Sequence, residues 1–296
     1  MITVPDSLAT ATVDREGEPG QAWVSELPDL VERYLRHWRC RTVGPPMHGG
    51  VGLIIPVESP HGDAVLKISF RHPGNVGEPD ALRLWAGAGA VTLYESAPED
   101  FALLLERVSD RSLDLALEDG LITAGRLSAQ LAVPATEGMQ RLADQAAGWE
   151  AELRQQDRQL DHPLPSRVVD AALQTIADLA DDRTDTMAHG DLHGANILHS
   201  ARGWLAIDPK GVAGPAEFDA ATMIGYRHQE LVGVNDLGAE VRRRLDIFCE
   251  AAGLDRRLAR RLTQARAVSM ALWDRLHPGH QVEFIDYGAT VATELL

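Results

Sequence analysis

The chain has 296 residues, of which 45% are hydrophobic, and its formal net charge at pH 7 is −16. This length and composition predict a globular protein with room for two lobes and a large buried core. The acidic balance argues against a nucleic acid or an anionic membrane as partner and permits a cationic small molecule as substrate. No apolar run is long enough to span a bilayer and the polar start is unlike a secretory signal, so we expect a cytoplasmic protein.

The beginning of the chain predicts a small lobe preceded by an arm. Residues 1–21 contain many glycines, prolines and acids without any apolar period, and we expect an irregular arm there. Apolar positions recur at helical spacing over residues 27–41, which predicts the first helix. The lobe itself is then expected over residues 22–108.

A glycine cluster and a lysine follow this helix. Gly49, Gly50 and Gly52 precede a predicted strand, and the next strand carries Lys67 after two apolar residues. In kinases, a glycine-rich turn covers the phosphates of ATP, and a lysine on a neighbouring strand pairs with the α- and β-phosphates. The three glycines and Lys67 are therefore predicted to bind ATP, although a glycine cluster alone is more often an ordinary turn.

Lysine is scarce in this sequence, which adds weight to Lys67. Lys67 and Lys210 are the two lysines among 28 basic residues, and the other 26 are arginines. A lysine that is retained in such a chain indicates a position where a compact ammonium is needed rather than a planar guanidinium.

The phosphate-binding lysine of a kinase needs an acidic partner that holds it extended. Glu78, which opens a helical pattern, is the predicted partner, and Asp80 is the alternative. Glu78 could also be simply an acid placed favourably at a helix N-terminus.

Strand patterns give way to helical patterns near residue 108, which predicts a lobe boundary there. The backbone at Glu106 and Val108 is expected to bind adenine, as the hinge between the lobes of a kinase does. Residues 109–296 are predicted to form a mainly helical lobe for catalysis and substrate binding.

The most informative segment, residues 189–198, reads H-G-D-L-H-G-A-N-I-L, and Asp208 follows it in a second apolar segment. The spacing H-x-D-x-x-x-x-N is that of the catalytic loop of kinases. Asp191 is therefore predicted to be the catalytic base, and Asn196 and Asp208 are predicted to bind Mg²⁺. The apolar residues on both sides of a short turn predict two strands that fix the ends of this loop.

A metal hydrolase is the alternative interpretation of this segment, because histidine and carboxylate are common metal ligands. Its ligands would come from His189, Asp191, His193 and His199. The full ordered spacing favours phosphoryl transfer over a loose cluster of ligands.

Eight of the arginines lie between Arg242 and Arg266, interspersed with acids. We expect a solvated helix face there and not a nucleic-acid patch.

With these segments in view, the chain resembles the aminoglycoside phosphotransferase family, and within it the streptomycin 6-phosphotransferases and the aminoglycoside or hydroxyurea resistance kinases. The similarity lies in residues 81–91, 103–107, 189–198 and 202–209. It implies an α+β, two-lobed protein-kinase-like fold with an antiparallel N-terminal β lobe and a larger helical C-terminal lobe. It also implies the roles already given to Asp191, Asn196, Asp208 and Lys67, with ATP and Mg²⁺ as cofactors.

The chain departs from protein kinases at two positions. Gly190 stands where they have an arginine, and Pro209 where they have a phenylalanine. Without that arginine there is no anchor for a phosphorylated activation loop, so we expect constitutive activity. Lys210, two residues after Asp208, has no assigned role and could contact phosphate or balance the acids.

The acceptor site is expected in the helical lobe, where carboxylates and an aromatic wall would bind a cationic sugar. Asp274 with Trp273 is the preferred pair, and Glu230 and Asp219 are further candidates. The other acids available there are Glu217, Asp236, Glu283 and Asp286.

The function expected from the resemblance is ATP-dependent phosphorylation of an aminoglycoside, most specifically the 6-hydroxyl of streptomycin, giving antibiotic resistance. The alternatives are a kinase of hydroxyurea or of a host metabolite and, from a different class, a nucleotide-binding protein without turnover.

Overall fold

The computed structural model describes residues 2–231, 234–277 and 285–296, and the side chains of residues 285 and 286 lie outside this description. The chain divides into two compact units, Met1–Ser109 and Asp110–Leu296. For comparison, the sequence predicts a lobe boundary near residue 108. In the described part of the chain, no helix combines the length and apolar character needed to cross a membrane.

The first unit is an antiparallel sheet with helices. Its strands pair in the order β1-β3-β4-β6-β5, and β2 pairs with β3. The strands are β1 (Arg41–Thr42), β2 (Met47–His48), β3 (Gly52–Ser59), β4 (Gly62–Ser69), β5 (Leu93–Ala97) and β6 (Ala102–Glu106). The helices are α1 (Asp6–Glu16), α2 (Glu18–His37) and α3 (Glu78–Trp85).

The core of this unit explains why β4 is central. Leu66 and Ile68, which alternate along β4, are fully buried in a cluster with Leu53 of β3 and Leu104 of β6. Leu30 and Val31 of α2 belong to the same cluster. This register fixes Lys67 between Ile54 of β3 and Leu103 of β6.

The irregular arm predicted for residues 1–21 is wrong, because α1 and the start of α2 occupy this segment. The buried face of α1 is small: the apolar Leu8 and the polar Thr12, one turn apart, are its buried residues. Gly17, with φ +64°, ends α1 in a backbone conformation that glycine adopts without strain. The helix also contacts the glycine turn, because Arg15 donates to the carbonyl of Gly50 at 3.1 Å.

The second unit is mainly helical. Its long helices are α4 (Leu117–Leu131), α5 (Leu142–Gln159), α6 (Ser166–Ala180), α8 (Leu237–Ala252), α9 (Arg256–Leu276) and α10 (Ile285–Glu294), with the short α7 (Ala220–Met223). Two small antiparallel pairs hold the loops, namely β7 (Met187–Ala188) with β10 (Val212–Ala213) and β8 (Ile197–Ser200) with β9 (Gly203–Ala206).

These two strand pairs position the segment that carries the motif. The loop of residues 189–196 runs from the end of β7 to the start of β8. In the β8–β9 hairpin, Ile197 lies opposite Ala206, so Asn196 and Asp208 flank the open end of the hairpin. The predicted two strands around a short turn are therefore confirmed.

The expectation of a purely solvated arginine face over residues 242–266 is wrong at two positions. Arg244 is fully buried, and it donates to the carbonyl of Ile224 and to the carboxylate of Glu240. Arg266 lies beside the loop of residues 189–196, where it donates to the carbonyl of Gly190. Backbone carbonyls and the Glu240 carboxylate offset part of the cost of burying the Arg244 guanidinium, whose Nη2 has no hydrogen-bond partner among the described residues.

Candidate active site

Asp219 anchors the loop that carries Asp191. Its Oδ2 accepts a hydrogen bond from the backbone N–H of His189 at 2.9 Å, and its Oδ1 accepts one from Gly190 at 2.7 Å. Burial raises the pKa of Asp219 to about 6, against the two backbone hydrogen bonds that favour the carboxylate. The proposal of Asp219 as an acid that contacts substrate is therefore corrected: only 1% of the residue is exposed and both oxygens are used inside the protein.

His189 ties the same loop to the segment after β9. The ring is fully buried, and burial lowers its pKa to about 4, so the imidazole is neutral at pH 7. Its Nε2 lies 2.9 Å from the carbonyl of Ile207, and its Nδ1 accepts a hydrogen bond from the backbone N–H of Asp191 at 3.2 Å. These partners assign the proton to Nε2. Because both nitrogens have partners in the fold, His189 is not placed as a ligand of a hydrolytic metal.

Asp191 presents its carboxylate beside two basic side chains. Lys210 Nζ lies 3.5 Å from Asp191 Oδ2, and His193 Nε2 lies 4.0 Å from Oδ1. About 30% of the Asp191 side chain is exposed, so a substrate can reach a carboxylate whose loop is fixed from behind. This is the arrangement that a general base needs.

Arg266 of α9 is a third basic side chain beside the loop that carries Asp191. Its Nη1 lies 3.4 Å from the carbonyl oxygen of Gly190, and its guanidinium lies over the ring of Phe218, 4.5 Å from the centroid. Burial lowers the pKa of Arg266, while Asp191 and Asp219 act in the opposite direction and favour the charged form. Sequence reasoning missed this residue, because nothing in an arginine-rich helix distinguishes the one that faces the loop.

Asn196 and Asp208 are the two residues predicted to hold a metal ion. Asn196 is buried, and its Nδ2 donates to the carbonyl of Asp191 at 3.0 Å, which leaves its Oδ1 as the group for a ligand. Asp208 adopts the left-handed conformation with φ +57°, directly after Ile207, whose N–H donates to the carbonyl of Asn196 at 2.9 Å. One amide oxygen and one carboxylate fit Mg²⁺, which prefers oxygen ligands and commonly takes the rest from phosphate and water.

In the first unit, the predicted pair of Lys67 and Glu78 is present. Lys67 Nζ donates to both carboxylate oxygens of Glu78 at 2.7 Å. Lys67 is 8% exposed and Glu78 is 2% exposed. Asp80, the alternative partner, is instead bound by Arg83 on the same helix at 2.6 Å.

The predicted glycine turn lies between β2 and β3. Gly49 donates its N–H to the carbonyl of Gly52 at 3.0 Å, and a Cβ at Gly49 or Gly50 would meet nothing within 4 Å. At Gly52 a Cβ would lie 2.7 Å from Ser69 Oγ, so this glycine is required by the close approach of β4. The turn thus has open space on the Cβ side of Gly49 and Gly50, while the Gly50 carbonyl is bound by Arg15.

The end of β6 carries the two residues predicted at the adenine site. The Glu106 carboxylate accepts hydrogen bonds from the backbone N–H and the hydroxyl of Thr92 at 3.0 and 2.9 Å. Val108, two residues beyond the strand, is half-buried. The backbone N–H of Glu106 donates to the carbonyl of Thr92 at 2.8 Å. Adenine binding by the backbone at Glu106 and Val108 stays a prediction.

A cavity of about 620 Å³ lies in the second unit. Arg266 and His193, both beside the Asp191 loop, belong to its lining. The described lining also contains four aromatic residues and one acid: Trp149, Phe218, Trp273, Tyr287 and Glu152. Trp149 lies edge-on to Phe218, with centroids 6.3 Å apart, and its Nε1 donates to Ser269 Oγ at 2.6 Å.

The predicted carboxylate wall is only partly in place. Trp273 lines the cavity and stacks on His277, but Asp274 is not among the described lining residues. Glu230 is paired with Arg227. Two of the other acids have partners within the fold: Glu217 accepts a hydrogen bond from the backbone N–H of Asp255, and Asp236 caps α8. Glu283 and the side chain of Asp286 lie outside the described residues. Glu152, one turn after Trp149 on α5, was missed because no motif marks it.

Comparisons with known proteins show the family to which the chain belongs. The sequence model described as aminoglycoside/hydroxyurea antibiotic resistance kinase matches residues 37–277. Streptomycin 6-kinase of Streptomyces glaucescens is 34% identical over 280 residues, which are 93% of this chain and 91% of that protein. Hydroxyurea phosphotransferase of Kitasatospora aureofaciens is also 34% identical, over 93% of this chain and 81% of that protein.

Among solved structures, a thermostable variant of aminoglycoside phosphotransferase APH(4)-Ia, in ternary complex with ADP and hygromycin B, is similar in fold. The TM-score is 0.57 and the identity 12%, over 89% of this chain and 96% of that chain. Fold and site together define a small-molecule kinase with a protein-kinase-like fold. The chain belongs to the aminoglycoside/hydroxyurea antibiotic resistance kinase family.

Proposed function

We propose that the protein transfers the γ-phosphoryl group of Mg²⁺-bound ATP to a hydroxyl group of an aminoglycoside, with the 6-hydroxyl of streptomycin as the acceptor. The observation that carries this proposal is the position of Asp191. Its carboxylate is partly exposed on a loop that Asp219 fixes from behind, and Arg266 and His193 connect that loop to the lining of a cavity. A volume of about 620 Å³ is in the range of sites for drug-sized ligands.

In the proposed reaction, Asp191 accepts the proton of the acceptor hydroxyl. The acceptor oxygen forms a bond to the γ-phosphorus, the bond from that phosphorus to the β,γ-bridging oxygen breaks, and ADP leaves with the electron pair. Because Asp219 and His189 hold the loop through its backbone, the Asp191 carboxylate is positioned before the substrate arrives. Most of the rate gain in phosphoryl transfer comes from such positioning and from stabilisation of charge.

Each unit carries residues predicted to bind the nucleotide. Asn196 Oδ1 and the Asp208 carboxylate would bind Mg²⁺, and the bound ion would neutralise charge on the phosphates. Lys67, held by Glu78, would pair with the phosphates, and the turn at Gly49 and Gly50 would cover them. The backbone at Glu106 and Val108 would bind adenine.

The chemistry of the cavity favours an acceptor with planar guanidinium groups. Guanidinium is weakly hydrated and stacks on aromatic faces, whereas an ammonium group is strongly hydrated and needs more hydrogen-bond acceptors. The described lining includes four aromatic rings, the basic Arg266 and one carboxylate, Glu152. Streptomycin carries two guanidinium groups, and kanamycin carries only ammonium groups, so this lining favours streptomycin.

Phosphorylation of hydroxyurea is the second candidate, and a host metabolite is a further one. The identity of 34% to a hydroxyurea phosphotransferase supports it as strongly as the same identity to a streptomycin 6-kinase supports the first. The cavity volume favours a larger acceptor, because hydroxyurea has only five heavy atoms and would leave most of about 620 Å³ to water.

The test measures ADP release by the purified protein with Mg·ATP and, in parallel, streptomycin, kanamycin, hydroxyurea or no acceptor. Mass spectrometry of the product counts the phosphoryl groups gained. We expect stimulation by streptomycin, and loss of about a hundredfold or more of that rate in Asp191→Asn with Mg·ATP binding retained. Stimulation by hydroxyurea alone would select the second candidate, and nucleotide binding with no acceptor response would favour another metabolite or a protein without turnover.

A matched pair of variants tests the cavity. Glu152→Gln removes the carboxylate of the lining, and we expect the KM for streptomycin to rise about tenfold with kcat unchanged, since a charge-assisted hydrogen bond is worth about 1.5 to 3 kcal/mol. Glu150→Gln, two residues away and paired with Arg154, is the control and should change neither constant. Equal effects of the two variants would show that Glu152 does not contact the acceptor.

A further inference from the structure

Lys210 is fixed to the catalytic loop by its backbone. Its N–H donates to the carbonyl of His189 at 2.8 Å, two residues before Asp191. The hydrogen bond sets the register of the segment after Asp208 against the loop. Lys210 Nζ consequently lies 3.5 Å from Asp191 Oδ2.

Gly190 makes room for this lysine. The residue has φ +83°, a conformation that favours glycine, and a Cβ there would lie 2.8 Å from Lys210 Cβ and 3.3 Å from Lys210 Cγ. The stem of Lys210 therefore crosses the loop where a side chain at position 190 would displace it. The backbone N–H of the same glycine donates to Asp219 Oδ1 at 2.7 Å, so the lysine packs over a point where the loop is hydrogen-bonded to the buried Asp219.

The ammonium of Lys210 is also accessible. The side chain is 35% exposed, whereas the Lys67 side chain is 10% exposed in its pair with Glu78. A purely structural ion pair needs no such access, and exposed pairs contribute only about 0 to 1 kcal/mol to stability. The retention of a lysine here, in a chain with 26 arginines, fits a need for a compact donor at a crowded centre.

We propose that Lys210 is a catalytic residue whose ammonium binds the phosphoryl group during its transfer, an inference that rests on the proposed function. A base must lie within hydrogen-bond reach of the acceptor oxygen, and that oxygen approaches the phosphorus along the line of attack. A donor 3.5 Å from the base is therefore within reach of an oxygen of the phosphoryl group. Preorganised donors at this place stabilise the charge that spreads over these oxygens.

Proton transfer to Asp191 would change the strongest electrostatic partner of the Lys210 ammonium. Before the reaction, the ammonium is attracted to the Asp191 carboxylate. When Asp191 accepts the acceptor proton, its charge is neutralised and the attraction to Lys210 falls, while the negative charge of the phosphoryl oxygens remains. The ammonium then has its strongest partner in the group that is being transferred, so it stabilises the transition state more than the ground state.

The experiment compares binding of Mg·ADP with binding of Mg·ADP plus aluminium fluoride, whose planar fluoroaluminate mimics the phosphoryl group in transfer. Titration calorimetry on the full chain measures both affinities without any acceptor. For Lys210→Met we expect Mg·ADP affinity within about twofold of the wild type and a loss of about tenfold or more for the fluoroaluminate complex. Lys210→Arg should recover part of the loss, and Arg126→Met, an exposed position on α4, should lose nothing.

The outcomes separate this inference from the proposed function. Equal fluoroaluminate affinity in Lys210→Met and wild type would overturn the role of Lys210 while leaving the kinase intact. A matching loss of Mg·ADP affinity would also overturn it, because the contact would then not be specific for the transferred group. A wild-type protein that binds neither Mg·ADP nor Mg·ATP would overturn the proposed function itself and the inference with it.

Discussion

Asp219 Oδ1 accepts the backbone N–H of Gly190 at 2.7 Å, directly beneath the loop that presents Asp191. The other oxygen of Asp219 accepts the N–H of His189, so one buried carboxylate satisfies two consecutive backbone donors. Buried donors without a partner are costly, and this carboxylate therefore determines both the stability and the shape of the loop.

For Asp219→Asn we expect the free energy of unfolding to fall by about 1 to 3 kcal/mol, because the amide can accept only one of the two hydrogen bonds and turns a donor toward the other N–H. The kcat should fall as well, since Asp191 is no longer held in position. Urea unfolding and steady-state kinetics measure the two effects. Glu217→Gln is the control, because the amide oxygen can still accept the N–H of Asp255; a similar loss in both variants would contradict the anchoring role.

Asp208 allows a clean test of metal binding. Its φ of +57° would strain an alanine, whereas asparagine tolerates this conformation, so Asp208→Asn removes the charge with little effect on the backbone. We expect the Mg²⁺ concentration needed for half-maximal ATP binding to rise about tenfold or more, because a carboxylate ligand is replaced by an amide. Nucleotide titrations at several Mg²⁺ concentrations give this value. Asp110→Asn, an exposed acid, should leave it unchanged, and an unaltered Mg²⁺ requirement in Asp208→Asn would remove Asp208 from the ligands.

The buried pair of Lys67 and Glu78 predicts that loss of one charge will lower both the stability of the protein and its affinity for ATP. Glu78→Gln keeps the shape but leaves the buried ammonium of Lys67 without its carboxylate, and breaking such a pair costs about 3 to 5 kcal/mol of unfolding free energy. ATP affinity should also fall, because Lys67 is no longer held extended. Asp80→Asn, which breaks an exposed pair with Arg83, should cost less than about 1 kcal/mol. Equal losses of unfolding free energy in Glu78→Gln and Asp80→Asn would show that burial does not determine how much the pair of Lys67 and Glu78 stabilises the protein.

The parts of the site that the sequence could predict are those encoded locally. Asp191 and Asn196 lie on one loop, and the hairpin after it brings Asp208 to the same end within a few residues. Lys67 follows from strand alternation, and its partner Glu78 from the start of the next helix. In each case, the spacing of the residues along the chain determines which side chains lie close together. The sequence pattern therefore predicts this part of the site.

The parts that the sequence could not predict depend on contacts between distant segments. Asp219 is 28 residues from Asp191, and it looked like one surface acid among several until the fold placed it under the loop. Arg266 is one arginine among eight, and only the packing of α9 selects it. The helix α1 was missed because its buried face consists of two residues, too few to give an apolar period.

His189 predicts how stability depends on pH. Its pKa is about 4 in the folded protein because burial disfavours the charged ring, whereas the ordinary pKa of a histidine side chain is 6.5. Between these two pH values the unfolded chain binds more protons than the folded one, so the contribution of His189 to stability increases as the pH rises from 4 to 6.5. The shift corresponds to about 3 kcal/mol over that window. Asp219, whose pKa is raised to about 6, acts in the opposite direction between about 4 and 6, so the total change is smaller than that of His189 alone.

A variant separates these opposing contributions. His189→Gln removes the titrating ring, and the wild type should gain more unfolding free energy than this variant between pH 4.5 and pH 7, by about 2 kcal/mol or more within the window of the His189 shift. Urea unfolding at the two pH values measures the difference, and His37→Gln, an exposed histidine on α2, should follow the wild type. Parallel curves for the wild type and His189→Gln would mean that the ring titrates alike in the folded and unfolded chain, which is incompatible with a neutral, buried His189 that accepts the N–H of Asp191.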